Sequence, residues 1–135
     1  MNTPLTKEAA LAYSVHHLAF IGDSVYSLLL RLNVLKEGKS LQAMHLKTSY
    51  SVSASAQTIA LDEIMTALDD EEKDIVRRGR NAHAKHQAPK SATTAEYSAS
   101  TGFEALIGFH FLTGNMDRIN FLLSLISTRQ ESKKK

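Results

Sequence analysis

The 135-residue sequence contains no cysteine, which excludes disulfides, thiol nucleophiles and thiolate metal sites and agrees with a reducing compartment. Nor does it open on a basic segment followed by an apolar one, so no secretory signal is expected. Long apolar runs are missing too. The richest stretch, Phe20 to Leu35, is broken by Asp23 and Arg31, and no membrane span is expected from it. Alternating β-branched runs are scarce, which argues against sheets. Of the six histidines only His83 and His86 stand at a ligand-like spacing, and without cysteine or a His-Glu-x-x-His pattern no zinc site is expected. These absences leave a soluble, cytoplasmic, largely helical protein as the expectation.

What is present supports one folded unit. The length suits a single domain, assigned to residues 1–130, with 131–135 a basic disordered tail ending in Lys133-Lys134-Lys135. A hydrophobic content of 43% is enough to form a core. The net charge of +2 hides a polarised distribution: acids gather from Asp62 to Asp74, and Arg77, Arg78, Arg80, Lys85 and Lys90 follow. Apolar residues recur at threes and fours from Leu18 to Leu35, predicting a long helix closed by Gly38. Shorter helices are predicted over Leu41 to about Ser49, Ser53 to Leu68, and Asp69 to Arg78 with a stop at Gly79. A basic loop from Asn81 to Thr94 comes next, then a helix from Thr94 to Leu112 ending at Gly114. A last helix is capped by Asn115 or Asp117 and buries Ile119, Leu122, Leu123 and Ile126. The fold class is all-α.

Two acids stand out against this pattern. Asp23 lies in Leu18-Ala19-Phe20-Ile21-Gly22-Asp23-Ser24-Val25, and Glu104 in Phe103-Glu104-Ala105-Leu106-Ile107-Gly108, each with apolar neighbours on both sides. A carboxylate in such surroundings loses hydration and needs a partner, a proton or a metal ion. Two carboxylates on packed helices would suit magnesium, which is held by one or two carboxylates while admitting phosphate oxygens. The competing reading is a buried pair satisfied by arginine or by helix-end amides. Tyr26 and Ser27, one turn beyond Asp23, are placed to orient it, with core packing an equally good reading for Tyr26. The basic stretch reads either as a phosphate clamp or as a solvated loop balancing the acids before it.

The two motifs, in this order and at this separation, resemble the signature helices of the ribonuclease III catalytic-domain family. Val76-Arg77-Arg78-Gly79-Arg80 and Ser100-Thr101-Gly102-Phe103-Glu104 extend the likeness, and the short chain is most similar to the family's Mini-ribonuclease III branch, which lacks an appended double-stranded-RNA-binding domain. His16, Ala19 and Thr101 stand where the larger members carry acids. The resemblance implies a helical bundle that forms a homodimer through Phe20. It implies a magnesium (Mg2+) site at Asp23 and Glu104, which are also the catalytic residues. It further implies cleavage of double-stranded RNA to 5′-phosphate and 3′-hydroxyl ends, in maturation of the large-subunit (23S) ribosomal RNA precursor. The RNA-binding residues are expected to be Arg77, Arg78, Arg80, Asn81, Lys85 and Lys90, and a ribosomal protein that presents the substrate is a further expected partner. Two rival classes are weighed against this. A non-catalytic helical RNA-binding module accounts for the basic loop but leaves both acids without a role. A nucleotide pyrophosphohydrolase would need a third glutamate where Ile75 follows Glu71-Glu72.

Overall fold

The computed structural model describes residues 3–82 and 93–132, with side chains as far as residue 126. Seven α-helices and no strand occur among them: α1 Lys7–Leu11, α2 Val15–Leu35, α3 Leu41–Ser51, α4 Ala54–Ile64 continued by a 3-10 turn Met65–Ala67, α5 Asp70–Asn81, α6 Thr94–Leu112 and α7 Met116–Ser132. Six of the starts are set by short polar side chains. Thr6, Ser14, Ser40 and Ser53 each accept a bond from a first-turn amide, while Asp69 with Glu72 and Thr93 with Glu96 form reciprocal capping boxes. These bonds satisfy amides that have no partner within the helix. Gly38 and Gly114, at φ 70° and 76°, end α2 and α6 in the left-handed region that glycine enters freely.

α6 is the centre of the fold. From residue 98 to 110 it is buried all round except at Glu104, and α2, α5 and α4 pack on it. A helix apolar on every side belongs in a core. Phe103, Phe109 and Leu106 of α6 meet Leu18, Leu61, Ile64 and Ile75 among the most completely buried side chains.

Two crossings on α6 depend on glycine. A Cβ placed on Gly22 of α2 would lie 1.7 Å from the backbone oxygen of Glu104, and one on Gly108 would lie 1.9 Å from that of Leu18. The α2 and α6 backbones therefore touch, with the Asp23 position beside the crossing. Gly79 of α5 and Gly102 of α6 make a similar contact, with 2.5 Å from the Gly79 Cβ position to the Gly102 Cα. This explains why α5 runs through Gly79 to Asn81 instead of stopping there: the residue is needed for close packing, not for a turn.

The expected lack of a membrane-length segment is also revised. α2, 21 residues at a mean hydropathy of 1.4, is long and apolar enough to cross a bilayer by length and composition. Its apolar residues serve two surfaces: Leu18, Val25 and Tyr26 enter the core, while Phe20, Leu28, Leu32 and Leu35 remain exposed. α1, for which the sequence pattern made no provision, is a single short turn whose Ala10 is buried. Lys133, Lys134 and Lys135 lie outside the described residues, and the helix before them reaches Ser132.

Candidate active site

The glycine crossing places Asp23 of α2 against Glu104 of α6. Their carboxyl groups lie within hydrogen-bonding reach, and burial, reinforced by the negative charge of Asp23, pushes the Glu104 carboxyl up to about 8 against the lowering effect of a bond from Gln57. Glu104 is partly buried, whereas Asp23 is exposed. The expectation that Asp23 loses its hydration is thus corrected. Its sequence neighbours fan out around the helix at about 100° per residue, so Leu18, Gly22, Val25 and Tyr26 enter the core while Asp23 faces outward.

Glu104 is anchored from α4. Gln57, with no exposed surface, donates from Nε2 to Glu104 Oε2 at 3.1 Å and to the Val52 carbonyl at 3.3 Å, and its Oε1 accepts from Ser100 Oγ at 2.5 Å. Among the described residues no lysine, arginine or histidine forms an ion pair with either carboxylate. Two adjacent carboxylates without a protein counter-charge form a hard, oxygen-only donor set. Such a set fits a divalent cation, whose charge would offset the burial and the Asp23 repulsion that raise the Glu104 carboxyl.

The residues one turn beyond Asp23 do other work. Tyr26 is buried edge-on against Phe103, with ring centroids 4.9 Å apart, and its hydroxyl is held well above its ordinary range by burial and by the Glu63 charge. Ser27 accepts a bond from Arg31. Neither orients Asp23. Thr101 donates to the Tyr97 carbonyl at 3.0 Å within its own helix.

Four of the expected RNA-binding residues, Arg77, Arg78, Arg80 and Asn81, lie at the end of α5. Arg77 is exposed and paired with Asp74, Arg78 and Arg80 are half-buried, and Asn81 is exposed. Lys85 and Lys90 lie outside the described residues, as do His83 and His86. His16 fastens this end of α5 to α2, its Nε2–H donating to the Ala82 carbonyl at 2.5 Å. Phe20 projects from α2 with three-quarters of its surface exposed, beside an open apolar depression lined by Tyr13, His17, Ile21 and Leu112.

A buried acid satisfied by arginine does exist, but it is Glu72. This residue, 1% exposed, accepts from Arg118 Nε at 2.8 Å and Nη2 at 2.7 Å, from His110 Nε2 at 2.6 Å, and from the Asp69 amide. Burial pushes its carboxyl up, but the bonds from Arg118, Asp69 and His110 outweigh burial and hold it at about 2. The contrast separates the two acids: Glu72 is saturated with donors, and Glu104 is not.

Against known proteins, a family model described as the Ribonuclease III domain matches residues 16–115, which include both carboxylates and the end of α5. The chain belongs to the ribonuclease III family. It is 45% identical over 107 residues to Mini-ribonuclease 3 of Symbiobacterium thermophilum, covering 78% of this chain and 82% of that protein. Over 122 residues it is 42% identical to Mini-ribonuclease 3 of Thermoanaerobacter sp. strain X514, covering 90% and 85%. The crystal structure of protein FN1578 from Fusobacterium nucleatum superposes with a TM-score of 0.80 at 29% identity, covering 87% of this chain and 94% of that one. Family membership makes the chain an endoribonuclease and confirms its all-α class. Gly22, Gly108 and Gln57 shape the candidate site but do not stand out in the sequence as site residues. The glycines were visible in both motifs, and their absent side chains were the available signal.

Proposed function

We propose that the protein is a magnesium-dependent homodimeric endoribonuclease that cuts double-stranded RNA, acting in the cytoplasm in maturation of the large-subunit ribosomal RNA precursor. The observation that carries this reading is the Asp23–Glu104 pair, which no basic side chain neutralises among the described residues. Bound there, magnesium supplies an activated water and a sink for charge on the phosphoryl oxygens. Asp23 and Glu104 would hold the cation, and the exposed Asp23 leaves room for a phosphate to approach. Water adds to phosphorus, the bond to the 3′ oxygen breaks, and that oxygen takes a proton, leaving a 5′-phosphate and a 3′-hydroxyl. Arg77, Arg78, Arg80, Asn81, Lys85 and Lys90 contact the duplex backbone, as A-form RNA is read through phosphates and 2′-hydroxyls. A twofold dimer through Phe20 gives each strand its own site. A ribosomal protein that orients the precursor completes the partners.

The test is incubation with a long RNA duplex, and with each of its strands alone, with and without magnesium. Metal-dependent cutting of the duplex only, with 5′-phosphate ends, is the expected result. Binding without cutting, or equal cutting of single strands, would overturn the reading.

A further inference from the structure

We propose that Gln57 is a positioning residue, its buried amide fixing the Glu104 carboxylate in the orientation that lets the Asp23–Glu104 pair hold a cation. The inference rests on the reading of that pair as the cation site. Gln57 has no exposed surface, and a buried amide is costly unless its groups are bonded. A methionine or leucine would fill similar space without that cost, so the amide's partners give the reason for its presence. Nε2 meets Glu104 and Val52, and Oε1 meets Ser100.

The network forces the assignment of nitrogen and oxygen. Rotating the amide would set its oxygen against the Val52 carbonyl, which can only accept. Gln57 can therefore only donate to Glu104. The Ser100 hydroxyl, one helical turn before Glu104, holds the other end of the same amide, so α4 grips α6 on both sides of that turn. One carboxylate oxygen is tied down, and the carboxylate plane is fixed relative to Asp23. Support of this kind commonly changes metal affinity by about 10- to 100-fold.

Manganese serves as the probe, since it favours the same octahedral oxygen coordination as magnesium. Its binding to the RNA-free full chain is followed by the loss of free Mn2+ signal in electron paramagnetic resonance. The proteins compared are wild type, Gln57→Leu, Ser100→Ala and Asp23→Asn. Gln57→Leu is expected to weaken Mn2+ binding about 10-fold or more, to leave the affinity for duplex RNA in chelator unchanged, and to regain single-turnover cleavage as metal is raised. Ser100→Ala, which keeps the amide but frees one end, is expected to show a smaller loss in the same direction. If Gln57→Leu does not fold, Ser100→Ala decides. Mn2+ binding lost in Asp23→Asn but unchanged in Gln57→Leu and Ser100→Ala would overturn the inference and leave the cation site standing. So would a cleavage defect in either variant that excess metal does not relieve. Absence of Mn2+ binding in wild type, or binding indifferent to Asp23→Asn, would instead overturn the cation site itself.

Discussion

At the scale of single residues, the two partly or wholly buried glutamates should respond to pH in opposite senses. Glu104, raised from 4.5 to about 8, binds an extra proton in the folded state between those values, so the metal-free protein loses stability as pH rises through that window. Glu104→Gln should remove this decline while lowering cleavage at least about 100-fold, since loss of a ligand costs more than loss of its support. Asp23→Asn should match it in cleavage. Denaturant melts at several pH values, beside cleavage at saturating magnesium, check both, and near-normal turnover would strike the residue from the site. Glu72 runs the other way. Held at about 2, its carboxyl contributes stability that is present above its ordinary 4.5 and is lost as pH falls toward 2. Removing Arg118, whose side chain is about a quarter exposed, leaves that carboxylate buried without its main partner and should cost about 3 kcal/mol at neutral pH. An Arg118→Met protein whose urea midpoint is unchanged would contradict this. Asp23 and Glu104 were legible as a pair because charge broke two apolar patterns. Glu72 was not, because it is one of four successive acids and its burial is decided by the rotation of α5 and by an arginine 46 residues away.

At the scale of elements, the site is the product of one helix crossing. The helix period made most elements readable: α2, α3 and α6 begin and end close to where apolar spacing and Gly38 or Gly114 put them. The same rules misread Gly79, since a glycine that lets two backbones touch is indistinguishable in sequence from one that ends a helix. Gly22 is the sharper case. An alanine there would bring its Cβ to 1.7 Å from the Glu104 carbonyl oxygen, and because backbone meets backbone no side-chain rotation relieves it. Gly22→Ala should therefore push α2 and α6 apart, at a cost of about 1–3 kcal/mol or more from overpacking. A displacement near 1 Å at the reacting groups should lower cleavage about 100-fold in the protein that remains folded. Circular dichroism and single-turnover cleavage measure the two effects separately. Wild-type activity in a folded Gly22→Ala protein would show that the crossing does not set the site. Lys47, paired with Glu37 at 2.5 Å, ties α3 to the turn that follows α2.

At the scale of the whole molecule, α2 has two working faces and only one is covered. The first lies on α6. The second presents Phe20 at 75% exposure, Leu28 at 57%, Leu32 at 46% and Leu35 at 61%, more apolar surface along one helix than scattered surface residues account for. The depression of about 220 Å³ lined by Tyr13, His17, Phe20, Ile21 and Leu112 adjoins the projecting Phe20 ring, so a twofold axis along α2 would seat each ring against its partner's hollow. Periodicity could reveal that α2 is apolar, but the division of its leucines between core and surface depends on which face α6 covers. An aromatic anchor of this kind is commonly worth at least about 2 kcal/mol, so a glutamate in its place should weaken self-association by roughly 30-fold or more. If wild type sediments as the proposed dimer at micromolar concentrations, Phe20→Glu should sediment there as a monomer. Because each protomer would then reach a single strand, the variant should nick duplex RNA, with double cuts appearing only as protein concentration rises. A monomeric wild type that still cuts both strands together, or a Phe20→Glu protein that remains dimeric, would remove the twofold arrangement and require another geometry for reaching the second strand.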